Sequence, residues 1–127
     1  MQESFLIDTD VIIDFLRGSQ EADKFMLGLK PPFYLSSITV AELFAGVQGK
    51  EEELVLEDFI YSFNILEVTK SIAVLGGLIR NKYGKSHGTG LADALIAATA
   101  KTHETTLITL NKKHFPMVDS IIIPYTK

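Results

Sequence analysis

The chain has 127 residues, a length typical of one domain, and we expect residues 1–127 to form a single domain. It contains no cysteine, which excludes disulfide bonds, thiolate metal sites and a cysteine nucleophile. No apolar run approaches the roughly 18 residues that cross a bilayer, and the N-terminus lacks the features of a signal peptide. We therefore expect a cytoplasmic protein that has no membrane partner.

Charge is unevenly distributed along the chain. The net charge of −4 argues mildly against a general nucleic-acid binder. Residues 1–79 hold 5 Lys and Arg against 13 Asp and Glu, whereas residues 80–113 hold 6 against 2. This distribution is consistent with an acidic cluster beside a basic, phosphate-binding surface, and also with an ordinary solvated surface.

Strands and helices are predicted to alternate along the chain. The predicted strands are SFLIDT (4–9), FYLSS (33–37), NILEV (64–68), TLITL (106–110) and SIIIPY (120–125). The predicted helices are DVIIDFLRG (10–18), SQEADKFMLGLK (19–30), TVAELFAGV (39–47), EEELVLEDFIYSF (51–63), TKSIAVLGGLIRNKYG (69–84) and LADALIAATAKTHE (91–104), with SHGTG (86–90) as a loop. This alternation predicts an α/β domain with a parallel sheet and helices on both faces. The adjacent glycines Gly76 and Gly77 predict that their helix packs closely against a neighbour.

Three acids stand out by their positions, and each has a purely structural interpretation. Asp8 ends the first strand and could be the N-cap of a helix. Thr39 and Glu42 have the spacing of a capping box after the second strand. Asp93 lies in the first turn of the Ala-rich helix, where the helix dipole favours an anion.

The same acids also suggest a metal site. Ligands in open α/β sheets bind beyond the carboxyl ends of the strands, which is where Asp8 and Glu42 lie. Ala97 and Ala100 are small, so the helix face that carries Asp93 can lie close to the sheet. Three carboxylates in one cleft repel one another, and a hard cation with oxygen ligands removes that conflict. The pattern therefore predicts a Mg²⁺ or Mn²⁺ site.

Two further acids follow Asp8 in the segment DVIIDFLRG. Asp10 either caps the short helix or binds a water on the metal. Asp14 is interpreted as a first-turn helix acid or as a partner for Arg17.

Four segments in this order resemble the signature blocks of PIN-domain ribonucleases. They are FLIDTDVIIDFLRG, YLSSITVAELFAG, GTGLADALIAATA and TLITLNKKHF, and together they span nearly the whole chain. Four ordered blocks are a specific signal, which a single D-x-D is not. The likeness is strongest to the VapC-type toxins of bacterial and archaeal toxin–antitoxin pairs.

The resemblance implies a three-layer α/β/α sandwich with a central, mainly parallel sheet. It implies an acidic pocket that binds Mg²⁺ or Mn²⁺ and hydrolyses RNA phosphodiester bonds. Asp8, Glu42 and Asp93 fall on the first three acids of the family, as metal-binding and catalytic residues. Asn111 is a further catalytic candidate. Thr9, Asp10, Thr109 and His114 are candidates for supporting contacts around the metal.

His114 is a departure from the family pattern, which has an acid just before the Phe of the last block. A neutral imidazole removes one negative charge, so the sequence leaves open whether one metal ion or two are bound. His114 could bind a metal ion or a phosphate, could protonate a leaving group, or could be a surface histidine that follows two lysines.

The resemblance also suggests partners, and it leaves two other functions open. The expected partners are an RNA substrate such as tRNA, a VapB-like antitoxin whose tail fills the acidic cleft, and a second copy of the chain. Six basic residues are candidates for holding the RNA backbone: Arg17, Arg80, Lys82, Lys85, Lys112 and Lys113. The alternatives are a PIN-like interaction module that has lost catalysis and a phosphatase of the haloacid-dehalogenase type, whose later acidic pair is missing here.

Overall fold

The computed structural model describes residues 3–127, and a parallel sheet forms its centre. Its strands are β1 (Phe5–Ile7), β2 (Phe33–Ser36), β3 (Asn64–Leu66), β4 (Thr106–Ile108) and β5 (Ile121–Ile122). The order across the sheet is β3-β2-β1-β4-β5, and every neighbouring pair is parallel. The predicted strands are all present, although each is shorter than its apolar segment.

Helices connect the strands and cover the sheet. They are α1 (Thr9–Leu16), α2 (Gln20–Gly28), α3 (Ser37–Ala45), α4 (Gly49–Tyr61), α5 (Lys70–His87) and α6 (Leu91–His103), followed by a single 3₁₀ turn at Lys112–His114. In the described part of the chain, no helix is both long enough and apolar enough to cross a membrane.

The sheet separates two apolar cores. Leu6 of β1 and Leu107 of β4 pack into one core, against α5 and α6. Phe5 and Ile7 point to the opposite face and join the other core with α1 and α4. Because successive side chains of a strand point to opposite faces, short apolar strands can bury both. The result is the three-layer α/β/α sandwich expected from the sequence.

Two helices begin directly at the carboxyl ends of strands. Asp8 is the N-cap of α1, where its side chain accepts the backbone N–H of Thr9. Ser36 is the N-cap of α3 and accepts the backbone N–H of Ile38. The prediction of a capping box at Thr39 and Glu42 is therefore wrong, because Thr39 lies inside a helix that begins two residues earlier.

Helix α5 is longer than predicted, and one of its glycines is at a close contact. It continues through Ser86 and His87, which were expected in a loop, and ends at Gly88 with a φ of +66°. A Cβ at Gly76 would lie 2.6 Å from Cδ2 of Leu95 on α6, as the prediction of close packing requires. A Cβ at Gly77 would meet no atom within 4 Å, so the same prediction is wrong for that residue.

Candidate active site

Asp8 is buried where β1 becomes α1. The residue is 3% exposed, and both of its carboxylate oxygens accept hydrogen bonds. Oδ1 accepts the backbone N–H of Thr9 at 2.8 Å, and Oδ2 accepts the hydroxyl of Thr109 at 2.7 Å. Thr109 directly follows β4, so donors from two elements at one edge of the sheet fix this side chain.

The pKa of Asp8 is raised from its ordinary value of 3.8 to about 7. Burial is the largest cause, because removing a carboxylate from water penalises its ionised form. The negative charges of Asp10 and Asp93 raise the pKa further, whereas the hydrogen bonds from Thr109 and Thr9 lower it. Asp8, Asp10 and Asp93 are thus close enough to influence one another.

Glu42 reaches the same region through a threonine bridge. Its Oε1 lies 2.7 Å from the hydroxyl of Thr9, and that hydroxyl lies 2.9 Å from the hydroxyl of Thr39. Since one hydroxyl carries one proton, Thr9 donates to one of these two oxygens at a time, and the carboxylate is the stronger acceptor. The sequence suggested Thr39 only as a helix cap, but a threonine one helical turn before Glu42 lies on the same helix face and was a usable signal.

Asp93 lies in the first turn of α6, as predicted. Ala97 and Ala100 on the same helix are buried in the core that also contains strands β1 and β4. Burial raises the pKa of Asp93, while the nearby His114 and a hydrogen bond with the backbone of Gly90 lower it. The Asp93 carboxylate therefore lies at the N-terminus of α6 and is also part of the acidic cluster.

The segment after β4 contacts each of the three clustered aspartates. Thr109 donates to Asp8, and the Asn111 side-chain amide donates to Asp10 Oδ2 at 2.6 Å. His114 Nδ1 lies 3.2 Å from Asp93 Oδ2. The sequence indicated these residues as candidates, but it could not assign one aspartate to each of them.

Two sequence interpretations of the α1 acids need correction. Asp10 does not cap α1, because Asp8 holds that position. Asp14 lies beyond the first turn of α1, and its direct partners are Tyr125, whose hydroxyl donates at 2.8 Å, and Lys127, whose Nζ is 3.0 Å away. Burial opposes its ionisation, but the contacts from Tyr125 and Lys127 prevail and lower the pKa of Asp14, with a smaller effect from Arg17. The contacts of Asp14 thus connect the C-terminal segment to α1.

The basic candidates are all exposed but fall in different places. Lys112 and Lys113 belong to the 3₁₀ turn that contains His114, so they lie next to the acidic cluster. Arg17 lines a groove of about 780 Å³ between α1, α3 and α4, and Glu42 lies in the same groove. On α5 lie the remaining candidates, Arg80, Lys82 and Lys85.

The candidate metal ligands are of the chemical type that binds hard divalent cations. Asp8, Glu42 and Asp93 offer carboxylate oxygens, which Mg²⁺ and Mn²⁺ prefer. Positive charge would offset the unfavourable ionisation of Asp8 beside Asp10 and Asp93. Within residues 3–127, no three Asp, Glu, His or Cys side chains already converge closely enough to hold a metal ion. A bound cation would therefore have to draw these carboxylates together.

Known proteins resemble this chain over almost its full length. The family model of the PIN domain matches residues 5–120. Ribonuclease VapC10 of Mycobacterium tuberculosis is 36% identical over 123 residues, which cover 94% of this chain and 92% of that protein. Ribonuclease VapC19 of the same species is 38% identical over 125 residues, with coverages of 94% and 98%.

Solved structures show the same likeness. A toxin–antitoxin complex from Klebsiella pneumoniae contains a chain that superposes with a TM-score of 0.83 at 30% identity, covering 96% of this chain and 98% of that one. An α/β sandwich with acids at the carboxyl edge of a parallel sheet defines the class of fold and site. The chain belongs to the PIN domain family. Its likeness to VapC ribonucleases confirms the resemblance seen in the four sequence blocks.

Proposed function

We propose that this chain is an endoribonuclease that requires Mg²⁺ or Mn²⁺ and is the toxin of a VapBC-type pair. The observation that carries the proposal is the gathering of Asp8, Asp10 and Asp93 at one sheet edge, where Asp8 resists ionisation. Glu42 joins them through Thr9. The similarity to VapC10 and VapC19, both named ribonucleases, supports the same activity.

The reaction is the hydrolysis of an RNA phosphodiester bond by water. Asp8, Glu42 and Asp93 would hold a divalent cation, which would make water more acidic and would offset the charge growing on the phosphate. Asp8 or Asp93 accepts the proton of the attacking water. Attack by water leaves a 5′-phosphate and a 3′-hydroxyl, and the RNA 2′-hydroxyl takes no part.

The chain's other polar residues position the reacting groups. Asn111 holds Asp10, and Thr109 holds Asp8, so neither carboxylate is free to rotate away. Lys112 and Lys113 lie beside the cluster and hold the RNA backbone as point charges. The basic residues of α5 extend this contact.

The partners are proposed from the relatives. The Klebsiella pneumoniae neighbour is described as a toxin–antitoxin complex, which supports a VapB-like antitoxin for this chain as well. We further propose that the antitoxin tail fills the acidic cleft, that the chain forms a homodimer, and that it works in the cytoplasm with an RNA such as tRNA as substrate.

The test is cleavage of a mixed tRNA pool by protein freed of any co-purified partner, with Mg²⁺, Mn²⁺ or EDTA. Asp8→Asn removes the buried carboxylate, and Asp58→Asn makes the same chemical change at an exposed residue of α4. We expect the wild type and Asp58→Asn to cut with either metal, and Asp8→Asn to lose at least about 100-fold in rate, the size of one general base or more.

Any of three results would contradict the proposal. Cleavage that persists in EDTA would exclude the metal requirement. No cleavage by folded, partner-free wild type would favour a PIN-like interaction module without catalysis, for which the histidine at position 114 is the main argument. Covalent phosphorylation of Asp8 would instead indicate the phosphatase.

A further inference from the structure

His114 is held in place by contacts that do not involve its ring. Its backbone N–H donates to the carbonyl of Asn111 at 2.9 Å, and its own carbonyl accepts the hydroxyl of Thr89 at 2.7 Å. Thr89 is 1% exposed, and the next residue, Phe115, is also 1% exposed and belongs to the core. The histidine backbone is therefore clamped between the core and the α5–α6 loop.

The two edges of the His114 ring face different parts of the molecule. Nδ1 lies 3.2 Å from Asp93 Oδ2, and the two side chains are 27% and 28% exposed. The opposite edge faces Gly88, since a Cβ on that glycine would lie 3.6 Å from Nε2 and 3.7 Å from Cδ2. A side chain at Gly88 would also be strained, because its φ is +66°.

Histidines that bind metals usually present one ring nitrogen to the ion and donate from the other to a carboxylate. In this chain the donating edge is in place, but Nε2 is turned toward the loop at Gly88 and not toward the acids. The His114 ring is thus placed to support Asp93, and it is not oriented to bind a metal ion at the acids.

We propose that His114 is a positioning residue that holds Asp93 Oδ2 through Nδ1 and so sets the orientation of this carboxylate for the cation. The proposal rests on the metal site of the proposed function. A carboxylate on a helix surface rotates about two bonds, and a fixed donor on one oxygen limits that freedom. The contact of Nδ1 with Oδ2 at 3.2 Å places the His114 ring where it can limit that rotation.

The test compares variants that separate the two ring nitrogens. In His114→Asn the side-chain amide nitrogen takes the place of Nδ1, whereas in His114→Gln it reaches the place of Nε2. His114→Ala removes both. Binding of Mn²⁺ is measured by calorimetry on the full chain, free of partner and RNA. We expect His114→Asn to bind as the wild type does, and His114→Gln and His114→Ala to bind about 10- to 100-fold more weakly.

Two results would overturn the positioning role. Equal affinity in all four proteins would show that Asp93 needs no support from position 114. Wild-type Mn²⁺ affinity in His114→Gln, together with weaker binding in His114→Asn, would show that Nε2 is the atom that matters. His114 would then be a metal ligand.

Cleavage of tRNA by the same four proteins distinguishes a failure of this proposal from a failure of the proposed nuclease function. A wild type that binds Mn²⁺ but cuts no RNA overturns the nuclease, while the affinities still decide the role of His114. A wild type that binds no Mn²⁺ overturns both. Unfolding curves without metal identify any variant whose weaker binding follows from lost folding.

Discussion

A buried carboxylate costs free energy unless the surrounding structure compensates its charge. At Asp8 the compensation is incomplete, because two hydrogen bonds are outweighed by burial and by the charges of Asp10 and Asp93. A buried aspartate whose only role is structural would be expected to have surroundings that stabilise its ionised form. The unfavourable ionisation of Asp8 is therefore the clearest sign at the residue level that this position serves a site.

The raised pKa of Asp8 predicts how stability depends on pH in the absence of metal. The folded protein has the higher pKa, so it binds more protons than the unfolded chain between about pH 4 and pH 7. The stability that Asp8 contributes is present below the unfolded pKa and is lost as pH rises through about 7. The stability of Asp8→Asn relative to wild type should therefore increase from pH 5 to pH 8, as measured by urea unfolding in EDTA. A constant difference across this range would contradict the shift.

The candidate acids were predictable from the sequence, whereas their partners were not. Asp8 stands at a strand end and Asp93 at a helix start, positions that a single sequence reveals, whereas Glu42 lies inside α3. The contact of His114 with Asp93 depends on the path of the chain after β4, which no local pattern specifies. The same holds for Tyr125, which reaches Asp14 from the far end of the chain.

At the level of elements, the sequence predicted the type and order of every strand and helix but not their ends. The helix α3 starts early because Ser36 can cap it while still pairing in β2, so strand and cap share one residue. The helix α5 continues past Gly84 to His87, and its C-cap is Gly88, whose positive φ favours glycine. The exact ends of helices thus depend on contacts with neighbouring atoms, which the helix propensities of single residue types do not describe.

Gly76 and Gly77 provide a matched test of packing between α5 and α6. In Gly76→Ala the added Cβ meets Cδ2 of Leu95 at 2.6 Å and its Cα at 3.3 Å, so we expect a loss of roughly 1–3 kcal/mol from overpacking. In Gly77→Ala the Cβ meets nothing within 4 Å, so we expect a gain of about 0.5–1 kcal/mol from the higher helix propensity of Ala. Chemical unfolding measures both, and a loss in Gly77→Ala or a gain in Gly76→Ala would contradict the described packing.

At the scale of the whole molecule, the fold brings basic residues next to acids that are distant in the chain. Asp8 and Asp10 lie at one edge of the sheet, and the segment after β4 places Lys112 and Lys113 at the same edge. The net charge of −4 is therefore compatible with the proposed local contact with an RNA strand.

The position of these two lysines predicts the salt dependence of RNA binding. The measurement uses Asp8→Asn as the background, so that the RNA is not cut, and follows the affinity for a single strand across salt concentrations. Lys112→Ala with Lys113→Ala should reduce the slope of log affinity against log salt by about 1.4, since two phosphate contacts are lost. The control Lys50→Ala removes a lysine that pairs with Glu53 on α4 and should leave the slope unchanged. An unaltered slope in the double variant would exclude these lysines from the RNA contact.

The sheet order has a consequence for how the protein is made. Strand β1 leaves the ribosome first but lies at the centre of the sheet, between β2 and β4. Asp8 meets its donor Thr109 only after 101 further residues have been added, and Asp93 meets His114 later still. Domains fold as units, and a nascent chain released early would have Asp8 and Glu42 but no assembled cluster. The chain must therefore be made at least as far as His114 before the site can assemble, so the nascent protein cannot act on the RNAs of the ribosome that is making it until then.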